Sequence, residues 1–264
     1  MTPPLLNGKT VVVSGVGAGL GHRVAAAVVR DGGNAVLGAR TEANLAKAAA
    51  EVDPGGSHTA YRATDITDEE QCAALAALAR ERFGSLDAVV HVAARDGYFG
   101  GLEDADFTAW QAVLDVNLLG TLRMTRACLP SLKAAGGGAV VIVGTQSSVA
   151  APSQVWQAAY AASKGALTSA MYSLARELGP HRIRVNTVLP GWMWGPPVEA
   201  YVRFTARTEG VSEAEVLARL AGRMALPELA TDGDVADAAV FLASDRARAI
   251  TGQSLLVNAG ELMR

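Results

Sequence analysis

The chain has 264 residues, 50% of them hydrophobic and 19% charged, with a formal net charge of −3. This composition supplies a large buried core, argues against disorder, and gives no electrostatic reason to expect a nucleic acid or an anionic membrane as partner. Cys72 and Cys128 are the only cysteines, and they build neither a disulfide framework nor a metal-ligand spacing, so no metal is expected. The opening segment turns polar too soon for a signal peptide, and no apolar run nears the roughly 20 residues of a membrane span, so a cytosolic location is expected.

The first element is a short β-branched run, Thr10 to Ser14, which reads as a parallel strand buried on both faces. It runs into Gly15-Val16-Gly17-Ala18-Gly19-Leu20-Gly21 and then an Ala/Val-rich helix to about Arg30. Strand, glycine-rich turn and helix together present backbone N–H groups and a helix N-terminus to a phosphate. The spacing is Gly-x-x-x-Gly-x-Gly at Gly15, Gly19 and Gly21. Glycines are expected there because a Cβ would block a pyrophosphate.

Asn34 to Ala39 reads as the second strand, followed by Arg40 and a helix from about Glu42 to Glu51. An acid at the tip of this strand binds a ribose 2′-hydroxyl in dinucleotide folds, whereas an Arg accommodates a 2′-phosphate. The tip carries Arg40 and no acid, which favours NADP(H), with NAD(H) the other possibility. A short third strand, His58 to Ala63, leads into Asp65-Ile66-Thr67-Asp68, where Thr67 or Asp68 can cap the next helix and Asp65 and Ile66 can line an adenine pocket. Leu86 to Ala94 is read as the fourth strand, with His91 as a hydrogen-bonded core residue.

A helical stretch is expected from roughly Ala105 to Lys133, with Asn117 unfavourable in its middle and so inviting a specific role. The strand Ala139–Val143 opens into Gly144-Thr145-Gln146-Ser147-Ser148, hydroxyls at a strand's carboxyl end, where ligands bind in open α/β sheets. Trp156 to Leu178 has helix composition and carries Tyr160 and Lys164 four residues apart, on one face. A phenol ionises near pH ~10, and a neighbouring cation lowers that value, which suits a Tyr to exchange a proton with an alcohol or carbonyl oxygen. A sixth strand, Arg182 to Leu189, ends at Pro190-Gly191. Residues 192–226 read as a mobile excursion with helical pieces, Asp232 to Ala243 as a helix capped by Thr231 or Asp232, and Ser254 to Val257 as the last strand. Strands alternating with helices, without a linker or repeat, give one domain over residues 1–264: a doubly wound parallel sheet of about seven strands between two helix layers.

In this order the motifs resemble the short-chain dehydrogenase/reductase family, Rossmann-like and single-domain, over nearly the whole chain. Ser14-Gly15-x-x-x-Gly19-x-Gly21 resembles its cofactor turn, and Asp65-Ile66 its adenine contact. Asn117 is similar to its helix Asn, Tyr160-x-x-x-Lys164 to its catalytic pair, and Pro190-Gly191 to its turn beside the nicotinamide. The resemblance implies hydride transfer between a nicotinamide dinucleotide and an alcohol or ketone. It casts Tyr160 as general acid/base, Lys164 as the cation that lowers the Tyr160 pKa and holds the ribose, and Ser147 as hydrogen-bond donor to the substrate oxygen. The resemblance further implies that Asn117 would kink its helix and hold a water linking Lys164 to solvent. Cofactor contacts are implied for Gly15, Gly17, Gly19, Leu20, Gly21, Arg40, Asp65, Ile66, Ala93, Pro190, Gly191 and Met193, besides Tyr160 and Lys164.

Three departures stand out: His91-Val92-Ala93-Ala94 where the family reads Asn-Asn-Ala-Gly, Gly195 where it has a Thr, and Asn258-Ala259-Gly260 where it has Asp-Gly-Gly. Those at His91-Val92 and Gly195 support an alternative, a nucleotide-binding sensor or scaffold with little or no turnover. An enoyl-thioester reductase is the rival within enzymes, although its Tyr–Lys spacing is usually longer. The active-site hydroxyl falls at Ser147 counting back from Tyr160, with Thr145 and Ser148 as the other choices. Rings at Tyr98, Phe99, Trp156, Trp192, Trp194, Tyr201 and Phe204 point to a bulky, largely apolar alcohol or ketone, with Trp156, Trp192 and Trp194 in the pocket. Apolar residues on the Tyr160 helix, Leu167 and Met171 among them, add the expectation of a homodimer or homotetramer.

Overall fold

The computed structural model describes residues 4–151 and 157–264. Its first half alternates β1 (Thr10–Ser14), α1 (Leu20–Arg30), β2 (Asn34–Ala39), α2 (Glu42–Val52), β3 (Thr59–Ala63), α3 (Glu69–Phe83) and β4 (Ala88–His91). Then come α4 (Phe107–Leu114), α5 (Thr121–Ala134), β5 (Gly138–Val143), α6 (Ala158–Leu178) and β6 (Ile183–Pro190). The remainder is β7 (Met193–Trp194), α7 (Pro196–Glu209), α8 (Glu213–Ala221), β8 (Ala230–Thr231), α9 (Asp232–Ala243) and β9 (Ser254–Val257).

Seven strands form one sheet in the order β3-β2-β1-β4-β5-β6-β9, with β7 and β8 as a separate pair. Every pairing in the large sheet is parallel, which requires a crossover between neighbours and so a helix layer on each face. The side-chain period of two sorts β1 accordingly. Val11 and Val13 pack with Val24, Leu45 and Val235 from α1, α2 and α9, while Val12 faces Leu75, Met124 and Leu167 from α3, α5 and α6. Each such fully buried aliphatic side chain contributes about 1.5–3 kcal/mol. The chain reverses direction across the sheet between β1 and β4, and a crevice opens there beyond the strands' carboxyl ends.

Two expectations are corrected. The fourth strand stops at His91, because the N–H groups of Val92 and Ala93 both turn to the Ser14 carbonyl, at 2.7 and 2.8 Å. Leu167 and Met171 are buried against the sheet and not available to a second subunit, since they face the core side of α6. The helical stretch around Asn117 carries a π-helical turn at Asp115–Gly120 that separates α4 from α5. The helical pieces expected beyond Trp192 are α7 and α8, to which Val202, Ala206, Val216, Leu220 and Leu229 give an apolar cluster of their own. The reciprocal Ser212–Glu215 capping box starts α8. Asp68 caps α3, and Thr231 caps α9 with a similar box to Asp234. Among the described residues no helix is long and apolar enough to cross a membrane.

Candidate active site

The glycine turn lies in the crevice between β1 and β4, and its glycines are required for two different reasons. A Cβ on Gly15, whose φ is +105°, would stand 2.5 Å from the Ala93 Cα and 2.8 Å from the Val92 carbonyl carbon. One on Gly21 would overlap the Gly15 carbonyl and lie 2.8 Å from the Val16 Cα. These two are demanded by the chain's own backbone, which corrects the attribution of all of them to a pyrophosphate. Gly17 meets nothing within 4 Å, and the nearest atom to a Cβ on Gly19 is Pro196 Cδ at 3.9 Å. Gly19 caps α1 without any side-chain bond, so the first N–H groups of the helix, Leu20 included, are left to a ligand. This open cradle fits a dinucleotide's phosphates.

Around it, Arg40 is exposed at the tip of β2 and its charge helps hold the Asp65 carboxylate below the usual range. The larger cause is Thr67, whose N–H and hydroxyl donate to Asp65 Oδ1 at 2.9 and 2.7 Å. Ile66 is buried, and it is the side chain that a Cβ on Gly120 in the π turn would strike, at 2.8 Å.

Lys164 and Tyr160 share a face of α6, with the ammonium 5.9 Å from the ring centre. Lys164 is only 2% exposed, and its Nζ donates to the Val143 carbonyl at 2.8 Å. Burial brings its pKa down to about 8, against a smaller upward pull from Asp96. Tyr160 moves the other way: burial, and then the charge of Asp96, push its phenol above the ordinary value. The expectation that Lys164 lowers the Tyr160 pKa is therefore corrected. The ammonium is directed at the Val143 carbonyl, and burial of the phenol itself is the dominant cause of its rise.

Asn117 sits in the π turn, where such turns mark functional positions. Its Oδ1 accepts from the Arg95 N–H at 2.7 Å, and its Nδ2 donates to the Arg95 carbonyl at 3.1 Å and to Ser163 Oγ at 2.9 Å. Ser163 in turn donates to the Tyr160 carbonyl at 2.7 Å. The side chain thus ties the loop after β4 to the helix of Tyr160 and Lys164; it is a positioning residue. Ser163 carries no sequence signal of its own. His91 is buried and bonded through Nε2 to Thr125 at 2.8 Å, and Thr125 donates its hydroxyl proton to Thr121. The ring is therefore a neutral donor at Nε2, with its pKa down to about 3 through burial, and Nδ1 has no partner among the described residues.

A cavity of about 560 Å³ lies beside this pair, lined by Tyr160, Ser147, Thr145 and Gly191 among others. Of the three candidate hydroxyls, Ser148 donates to the Thr145 carbonyl at 2.7 Å and does not line the cavity. Thr145 is engaged as acceptor from the Ser147 N–H at 3.2 Å. Ser147 lines the cavity without a side-chain partner among the described residues. Phe99, Trp192 and Tyr201 also line it, while Trp194 and Phe204 do not, and Tyr98 is fixed by accepting from the Asp106 N–H at 2.7 Å. Trp194 is thereby corrected: its pairing in β7 with β8 turns it to a separate groove beside α1 and α9. Trp156 lies outside the described residues. Met193 pairs with Ala230 in the same short ladder, and Pro190 pairs with Val257 at the end of β6.

The departures are legible in physical terms. Gly195 is extended, and the nearest atom to a Cβ there is Asp232 Oδ2 at 3.8 Å, so the missing side chain is not excluded for want of room. Ala259 has φ +53°, a left-handed conformation natural to glycine and strained for Ala by about 1–2 kcal/mol. Its carbonyl accepts from the N–H groups of Ala225 and Leu226, both at 3.0 Å, and so joins the C-terminal tail to the segment after α8.

Five polar residues of the cavity wall were not singled out by the sequence: Asp96, Gln146, Gln157, Arg223 and Glu261. They come from separate segments, and only folding brings them together. Gln146 Nε2 donates to Glu261 Oε2 at 3.0 Å, Asn258 Nδ2 to Gln146 Oε1 at 2.6 Å, and Arg223 pairs with Glu261 Oε1. Among the described residues no group of three or more His, Cys, Asp or Glu is placed to hold a metal ion.

Residues 15–261 match a sequence model described as enoyl-(acyl carrier protein) reductase. The L-fucose dehydrogenase of Bos taurus is 34% identical over 96% of this chain and 89% of its own length. The trans-4-hydroxycyclohexanecarboxylate dehydrogenase of Sinomonas cyclohexanicum is 33% identical over 96% of this chain and 92% of its own. Among solved structures, L-sorbose reductase from Gluconobacter frateurii, complexed with NADPH and L-sorbose, superimposes with a TM-score of 0.91 over 100% of both chains at 25% identity.

Proposed function

Because the chain belongs to the short-chain dehydrogenase/reductase family, whose members exchange hydride between a nicotinamide dinucleotide and an alcohol or carbonyl, we propose that the Tyr160 cavity binds a bulky secondary alcohol or the matching ketone. The observation that carries the reading is the convergence of Tyr160, Ser147 and Gly191 on one cavity.

The nicotinamide ring, when bound, supplies or takes the hydride. Everything else falls to this chain's residues. Tyr160, protonated at neutral pH, gives a proton to the carbonyl oxygen in reduction and takes it back in oxidation. Ser147 donates a hydrogen bond to the same oxygen as its charge changes. Lys164 keeps two N–H donors beyond the one committed to Val143, and these hold the ribose. Asn117 holds the Arg95 backbone and, through Ser163, the turn of helix that carries Tyr160.

For the cofactor, Gly17, Gly19, Leu20 and Gly21 take the phosphates and Gly15 sets the turn. Arg40 takes a 2′-phosphate, which favours NADP(H) over NAD(H) and agrees with the NADPH in the sorbose reductase structure. Asp65 and Ile66 border the adenine, and Ala93, Pro190, Gly191 and Met193 border the nicotinamide half. Trp192 and Tyr201 give the substrate an apolar wall. The protein works in the cytosol as a homodimer or homotetramer: Phe107, Leu119 and Tyr172 are exposed on α4, the π turn and α6, and light scattering of a monomer would contradict this.

The test is Tyr160→Phe. Turnover is expected to fall by about 10²–10⁴-fold while NADPH still binds, because only the proton donor is removed. Full activity would refute the assignment. Tight NADPH binding with no turnover of any ketone by the unaltered protein would point to a sensor. The description of the matching sequence model favours one further enzymatic reading, and oxidation of NADPH by crotonyl-CoA, with no ketone reduced, would support it.

A further inference from the structure

The cavity has an aromatic part and a charged part. Trp192 and Tyr201 make the first, with ring centres 4.8 Å apart. Arg223 and Glu261 make the second, and the guanidinium also stands 5.9 Å from the Trp192 ring centre. We propose that this ion pair selects a neutral substrate bearing at least one hydroxyl beyond the carbon that exchanges hydride, such as a hydroxylated ring or an open-chain polyol. Apolar alcohols and anionic alcohols are both disfavoured. The inference deepens the alcohol/ketone reading above and rests on it.

Three observations carry it. The Glu261 side chain is only 6% exposed, yet it lines the cavity. One oxygen accepts from Arg223 and the other from Gln146, and a carboxylate has about four lone-pair sites, so acceptor capacity remains for a hydroxyl donor. The position of the carboxylate is also set before any substrate arrives. Asn258 fixes Gln146 at 2.6 Å, and the Ala259 carbonyl holds the N–H groups of Ala225 and Leu226, which stand two and three residues beyond Arg223. Little ordering is then left for binding to impose.

The third observation is the charge balance. Among the described lining residues Arg223 is the one cation, already paired with Glu261, and Asp96 adds a second anion. A carboxylate or phosphate substrate would meet a net negative surface. A hydrocarbon pressed over the ion pair would strip its water and return no hydrogen bond. A hydroxyl does return one, and to a charged acceptor, where hydrogen bonds are strong.

The test uses three alcohols on one ring: cyclohexanol, a cyclohexanediol with its second hydroxyl across the ring, and the corresponding hydroxycyclohexanecarboxylate. Each is measured as cis and trans isomers where these exist. Oxidation by the full-length enzyme with NADP⁺ and with NAD⁺ gives kcat/KM, and calorimetry on enzyme saturated with NADPH gives binding without reaction. The diol is expected to lead both others by about tenfold or more in both measurements. In Glu261→Gln the ratio of diol to cyclohexanol is expected to fall toward unity, with Arg223→Met as a second variant if the first does not fold.

A lead for cyclohexanol or the carboxylate in the unaltered enzyme overturns the proposal. So does an unchanged ratio in a folded variant. If nothing is turned over but the diol binds selectively and loses that advantage in Glu261→Gln, the redox reading fails while the selectivity stands. If none of the three binds or reacts, the selectivity proposal falls.

Discussion

Lys164 gives its ammonium to the carbonyl of Val143, 2.8 Å away, so the cation at the centre of the site is satisfied by the end of β5 and not by Tyr160. The strand thereby fixes where the lysine's remaining donors stand. The arrangement also has a thermodynamic cost, since a charge is held almost wholly out of water.

That cost is measurable. The Lys164 pKa falls from 10.5 to about 8 on folding, so the unfolded chain holds this proton more tightly than the folded one. Stability from this group then rises with pH through the window from about 8 to 10.5. Lys164→Met removes both the buried charge and that rise. At neutral pH the variant is expected to be more stable by ~2 kcal/mol, after allowance for the hydrogen bond lost at Val143, and inactive. Urea melts at several pH values decide it; a less stable variant with the same pH slope would sink the argument.

Asp96 raises the pKa of both Tyr160 and Lys164 by its charge. Asp96→Asn should lower both. Oxidation needs the deprotonated phenol, so the rising limb of its pH–rate profile is expected to move to lower pH, and the falling limb for reduction to move with it. Profiles that coincide with those of the unaltered enzyme would show that Asp96 does not act on the phenol.

The glycine turn offers a matched pair. Gly15→Ala forces a Cβ into the Ala93 backbone at a left-handed φ, and is expected to cost several kcal/mol, on the order of a severe core clash, or to prevent folding. Gly17→Ala meets nothing in the protein and should melt like the parent, yet weaken NADPH binding by about tenfold or more through contact with the phosphates. Equal NADPH affinity in Gly17→Ala would place the phosphates elsewhere.

Arg40→Ala removes the exposed guanidinium at the tip of β2. Loss of one charge-assisted contact predicts about tenfold weaker NADPH binding with NADH little changed. Fluorescence titration with both cofactors measures the difference, and an equal loss for both would reassign Arg40 to a general role.

Much of the scaffold was legible from the residues. The runs of Val between glycine punctuation become buried parallel strands because such strands must be apolar on both faces, and the Tyr160–Lys164 pair shares a helix face because helices repeat every 3.6 residues. The π turn at Asp115–Gly120 was not legible. Local propensity at Asn117 signals only discomfort; what the residue does depends on Arg95 and Ser163, 22 and 46 residues away.

Two glycines of one turn, Gly15 and Gly17, looked alike in sequence and differ because one lies against the backbone of Val92 and Ala93, just after β4, and the other faces open space. The sequence by itself determined the alternation of strand and helix, the cradle at the first turn and the spacing of phenol and amine, since each depends on neighbours within a few residues. Tertiary structure alone decided the direction of the Tyr160 and Lys164 shifts, which of the candidate hydroxyls line the cavity, and the ion pair of Arg223 with Glu261. Those depend on burial and on contacts between distant segments, which no local pattern encodes.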